Sequence, residues 1–143
     1  MAVTNDIESL LPHRKPFLFV DEIVSCDENG SVSTRKFTED DFFFKGHFPE
    51  YPVVPGVILV ETMAQAGGAA LSFQKKFDDG SLFFLGTVDK VKFKNQVRPG
   101  DTVRMEITNL RVSKRMIKRA GKAYVGDTLC AEAEWMCLVG GAN

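Results

Sequence analysis

The chain has 143 residues, 44% of them apolar, with 18 basic and 19 acidic side chains. That length suits one domain spanning 1–143, and the apolar share excludes a disordered chain. A net charge of −1 gives no bulk attraction to nucleic acid or to a membrane surface, so a charged docking site has to be local.

In chain order, Asn5 followed by Glu8 reads as a capping box that opens a short helix, Asp6–Leu11, stopped by Pro12. Phe17–Cys26 is rich in Phe, Val and Ile and reads as a strand. Asn29-Gly30 marks a turn, and Ser31–Phe37 returns as a second strand. Thr38–Tyr51 is loop text with a helical turn near Phe42–Phe44. Pro55–Phe77 is the one long helix, opened by a proline whose fixed φ suits the first turn. Its apolar residues run nearly all round, which predicts a buried helix. Glu61 and Gln65 interrupt it, which argues against a membrane span. Asp78-Asp79-Gly80 closes this stretch. Four strands follow: Leu82–Phe93, Thr102–Val112, Met116–Val125 and Thr128–Val139. Pro99-Gly100-Asp101 turns the chain, and Gly126-Asp127 predicts a two-residue hairpin that sets Arg119 opposite Glu134. One buried helix and about six strands make an α+β fold, a curved antiparallel sheet wrapped around the helix.

No secretory signal pattern is visible near Met1, where Asn5, Asp6 and Glu8 interrupt the text. Cys26, Cys130 and Cys137 are odd in number, sit inside strands and lack metal-ligand spacing. They read as reduced thiols of a cytoplasmic protein.

Two histidines are present. His47 sits in a Gly/Pro-rich loop, Gly46-His47-Phe48-Pro49, just before the helix. Imidazole takes up a proton near neutral pH. Glu61 is a lone carboxylate in the apolar helix, and Gln65 lies four residues on, on the same face. A buried carboxyl can stay protonated and act as an acid. Glu61 could equally face a solvated edge. Gly56, at the helix start, offers an N–H that a ligand oxygen could approach, or it simply allows close packing. His13 has no nearby candidate partner and reads as structural. Gly67-Gly68 in mid-helix reads as close helix–sheet contact.

Taken together, several segments resemble the hotdog-fold (3R)-hydroxyacyl-acyl carrier protein dehydratases over nearly the whole chain. They are Leu11-Pro12-His13-Arg14, Gly46–Pro49, Pro52–Gly56, Glu61, Met63-Ala64-Gln65, Asp89–Phe93 and Arg98–Asp101. The resemblance implies dehydration of a 3-hydroxyacyl thioester to the trans-2-enoyl product in fatty acid synthesis. His47 would be the base and Glu61 the acid, with Gln65 supporting Glu61 and Gly56 and Val54 at the substrate oxygen. The glutamate at position 61 matches the branch that only dehydrates. The resemblance further implies an acyl carrier protein as partner, no metal or redox cofactor, and a homodimer, or three dimers in a hexamer, that builds each site from two subunits. Glu50, Thr62 and Trp135 depart from the usual pattern and bear on chain-length preference. Alternatives are the same dehydration in a polyene or pigment pathway, a hotdog acyl thioesterase, and a non-enzymatic acyl-binding subunit. Phe42–Phe44 and Phe83-Phe84 are candidates to line an acyl tunnel. An acidic carrier predicts a basic patch, from Arg111, Lys114, Arg115, Lys118, Arg119 and Lys122 or from Lys92, Lys94 and Arg98.

Overall fold

The computed structural model describes residues 3–77 and 81–140, so the expected turn at Asp78-Asp79-Gly80 lies outside the described residues. The elements are β1 (Glu22–Asp27), β2 (Gly30–Lys36), a 3-10 turn (Phe42–Lys45), α1 (Gly56–Phe73), β3 (Leu82–Phe93), β4 (Thr102–Val112), β5 (Met116–Val125) and β6 (Thr128–Gly140). All six strands form one antiparallel sheet in the order β1-β2-β4-β5-β6-β3.

Alternation along β4 and β5 aims Val103, Met105, Ile107, Ile117 and Ala123 at one face, all buried. α1 lies against that face, with Leu59, Met63, Ala66 and Ala69 in the core. By length and composition α1 could cross a membrane, yet 67% of it is buried against the sheet. Its glycine pair has a local cause. A Cβ on Gly67 would fall 2.7 Å from Nε of Arg119, which lies beneath it on β5.

Three boundaries differ from the sequence reading. Only one turn forms near the N-terminus, with Leu10 and Leu11 both donating to the Ile7 carbonyl. The capping box is not made: Thr4 Oγ1 accepts from the Asp6 N–H, and Glu8 faces Arg14 at 3.8 Å. The first strand begins at Glu22 because Phe17 and Phe19 bond to a side chain instead of a strand: Gln65 donates to the Phe17 carbonyl and accepts from the Phe19 N–H. The helix stops at Phe73, where Lys75 takes a left-handed φ of 57° and the Lys76 N–H returns to the Leu71 carbonyl.

The Gly126-Asp127 hairpin forms, with Gly126 at φ 58°. A bulge beyond it shifts the register between Ala123 and Tyr124. Arg119 therefore faces Trp135, and Glu134 faces Ala120. The expected Arg119–Glu134 pair does not exist: Arg119 points into the core, fully buried, and Glu134 meets Lys90 at 3.5 Å on the outer face.

Candidate active site

His47 is set by a short, over-determined loop. Buried Phe43 and Phe44 anchor the preceding turn, and the His47 N–H donates to the Phe43 carbonyl at 2.9 Å. The next residue, Phe48, takes a left-handed φ of 59°. The ring nitrogen Nδ1 stands 2.9 Å from the Val53 carbonyl. A carbonyl can only accept, so Nδ1 carries a hydrogen, and in the neutral ring the lone pair is on Nε2. The far side of the loop is tied to the chain after β3. Val54 N–H donates to Val97 at 2.8 Å, Tyr51 Oη donates to Gln96 at 2.8 Å, and Arg98 stacks 4.3 Å from the Tyr51 ring centre.

Beside His47 opens a cavity of about 590 Å³, shared with Val54, Gly56, Phe93 and Lys94. Gly56 opens α1, where first-turn N–H groups have no helical acceptor. A Cβ there would fall 2.8 Å from the rim of the exposed Phe93 ring, so a larger residue at 56 would push that ring aside. The Val54 N–H is committed to Val97. What Val54 offers the cavity is a side-chain wall, not a free donor.

Glu61 lies elsewhere in the same chain. Its side chain is 25% exposed. Gln65 donates from Nε2 to Glu61 Oε2 at 2.9 Å, as the helical spacing predicts. Gln65 is itself fixed by Phe17 and Phe19, so the donor is held from two sides. A small cavity of about 40 Å³ adjoins, lined by His13, Glu61, Gln65, Gly68, Phe83 and Cys137. His47 is not among the residues around it, and Glu61 is not among those around the His47 cavity.

His13 corrects the sequence reading. It does have a partner: its Nε2 is 3.5 Å from Glu61 Oε2. Burial pushes its pKa below the ordinary 6.5, and the Glu61 charge opposes that in part. No local pattern marked this contact, which is made across the fold. Arg119 is the second residue misread, although strand alternation with Ile117, Gly121 and Ala123 carries the signal. Its Nη2 is 3.8 Å from Cys137 Sγ, while Nε and Nη1 have no partner among the described residues. Burial works against its charge, and burial pushes the Cys137 thiol up against the pull of Arg119.

The phenylalanines divide. Phe83 lines the Glu61 cavity, Phe84 is 55% exposed, and Phe43 and Phe44 pack in the aromatic core with Phe19 and Phe37. All three cysteines are free thiols. Among the described residues, no group of three His, Cys, Asp or Glu side chains is arranged to hold a metal.

The profile of the FabA-like domain family matches residues 11–134. The chain is 41% identical over 140 residues to the 3-hydroxyacyl-[acyl-carrier-protein] dehydratase FabZ of Clostridium kluyveri, covering 96% of each. It is 43% identical over 141 residues to the FabZ of Desulforamulus reducens, covering 98% of this chain and 99% of that one. Among solved structures, a chain of the dehydratase heterocomplex ApeI:P from Xenorhabdus doucetiae matches with TM-score 0.81 and 17% identity, covering 94% of this chain and 91% of that one. A hypothetical thioesterase from Streptococcus pneumoniae, solved with coenzyme A, matches with TM-score 0.61 and 13% identity, covering 84% and 85%. These two are likenesses of fold, the curved sheet around one helix. From residues 11 to 134 and at this level of identity, the chain belongs to the FabA-like family and, within it, to the FabZ-type 3-hydroxyacyl-[acyl-carrier-protein] dehydratases.

Proposed function

We infer that the protein is a hydro-lyase that removes water from a (3R)-3-hydroxyacyl thioester on acyl carrier protein, giving the trans-2-enoyl thioester. The observation that carries the reading is the fixed tautomer of His47. With Nδ1–H held by the Val53 carbonyl, Nε2 is a ready base in a cavity large enough for a thioester arm. His47 Nε2 takes the C2 proton. The electron pair forms the C2–C3 double bond and the C3–O bond breaks. Glu61 in its protonated form gives that proton to the departing hydroxyl, which leaves as water. The Gly56 N–H sits at the positive end of α1, where charge gathering on the thioester oxygen is favoured. Each acid-base role is worth roughly 10² to 10⁴ in rate. The chemistry asks for no metal or redox cofactor.

His47 and Glu61 lie on separate cavities of one chain, which supports a site built by two copies. β3 is an edge strand, and Phe84, Leu85, Val88 and Phe93 are exposed along it. Antiparallel pairing of two β3 edges about their middle would place the Phe83 end of one strand beside the Phe93 end of the other. Phe83 lines the Glu61 cavity and Phe93 lines the His47 cavity, so the half-sites would join. We take the chain as a cytoplasmic homodimer, able to assemble as a trimer of dimers, with 1–143 acting as one domain.

An assay over 3-hydroxyacyl thioesters of graded length tests the reading. Absorbance of the conjugated enoyl thioester should rise with no free thiol released, and His47→Ala should lose at least ~10² in rate. Free thiol without enoyl product would point to a thioesterase instead.

A further inference from the structure

Two donors converge on one oxygen of Glu61. Gln65 Nε2 is 2.9 Å from Oε2, and His13 Nε2 is 3.5 Å from the same atom. Oε1 has no protein partner among the described residues. His13 is itself held in place. Its loop is closed by Arg14, whose Nη1 donates to both the Leu11 and His13 carbonyls. Its ring borders the same small cavity as Glu61, and its Nδ1 is buried without a partner among the described residues. A buried N–H without an acceptor costs more than a buried lone pair shared with nothing, so the hydrogen belongs on Nε2, facing Glu61.

We propose that His13 is a positioning residue of the active site: with Gln65 it clamps Oε2 of Glu61 and leaves Oε1 as the oxygen that meets the substrate. The proposal rests on the reading of Glu61 as the catalytic acid. The cavity that the His13 ring borders is also lined by Glu61 and Gln65 from α1, Phe83 and Leu85 from β3 and Cys137 from β6. Of these, Glu61 and Cys137 titrate; Arg119 stands behind Cys137, and Arg14 faces the His13 carbonyl. The 3.5 Å gap is long for a hydrogen bond, and a small closure on substrate binding would make it one.

The position of the nitrogen gives the test. A glutamine amide can set its nitrogen where Nε2 stands, whereas asparagine mimics Nδ1. His13→Ala should lower kcat about tenfold to a hundredfold with KM nearly unchanged, since a carboxyl out of place costs rate, not binding. His13→Gln should recover most of that loss, and His13→Asn should not. Losses that follow melting temperature, with asparagine as good as glutamine, would mean a structural role and overturn the proposal; so would wild-type kcat in His13→Ala. A readout free of activity separates this from failure of the dehydratase reading. The NMR titration of the His13 ring should move to lower pH in Glu61→Gln, because the carboxylate that favours its protonated form is gone. An unmoved titration would overturn the contact even if the wild type dehydrates its substrate.

Discussion

Arg119 is a fully buried guanidinium whose one hydrogen-bond partner among the described residues is a thiol. Taking such a charge out of water costs several kcal/mol, and Cys137 returns little of it. Arg119→Met fills similar volume without the charge. It should raise stability by about 1 to 4 kcal/mol, read from the denaturation midpoint at unchanged slope. A loss of stability would show that the charge has a partner in the assembled protein. His13 gives a second, pH-linked expectation. Burial holds its folded-state pKa below 6.5, so as pH falls the unfolded chain binds the proton first. Its contribution is whole at neutral pH and falls away as pH drops below 6.5. Denaturation of wild type and His13→Gln should therefore diverge as the pH is lowered, with the wild type losing more. Parallel curves would mean that the ring is not held neutral.

At the scale of elements, a mid-helix glycine lets α1 lie directly on the Arg119 side chain of the sheet. A methyl on Gly67 would fall 2.7 Å from Arg119 Nε. Gly67→Ala gains about 1 kcal/mol of helix propensity but should lose ~1 to 3 kcal/mol to overpacking. In the Arg119→Met background the penalty should shrink, and a double-mutant cycle measures that coupling. Strict additivity would place the arginine elsewhere. Much of this layer was legible. β3, β4 and β5 begin and end at the residues that turn signals bracket, and glycine with a positive φ makes the last hairpin. What was not legible came from contacts that leave no local pattern. Gln65 replaced a strand partner for Phe17–Phe19. Lys75, not a glycine, took the left-handed position that ends α1. The bulge near Cys130 moved Arg119 by one register step, which changed its partner from a glutamate to Trp135. The site followed the same division: the Glu61–Gln65 pair obeys helix spacing, whereas His13 reaches Glu61 only through the tertiary fold.

At the scale of the molecule, the two basic clusters meet in mid-sheet, where Lys122 and Lys92 both lie opposite Glu132, and part at their ends. Lys94 borders the His47 cavity, while Lys114 and Arg115 form the far β4–β5 turn. Pairing of β3 edges from two copies would bring one chain's Lys94 and the other's Arg115 toward the same end. An acidic carrier would meet both. Charge reversal at Lys94 or at Arg115 should weaken turnover of carrier-bound substrate more than of a short free thioester, and high salt should narrow the difference. Equal losses on both substrates would leave these side chains as solvated surface.

The central claim is that His47 of one copy works with Glu61 of another. His47→Ala and Glu61→Gln subunits should each be nearly inactive alone. Mixed in equal amounts and allowed to exchange, half the dimers become mixed, each with one intact site, and activity should recover to about a quarter of wild type. No recovery after exchange has been confirmed by mass would contradict the shared site and return both residues to a single chain.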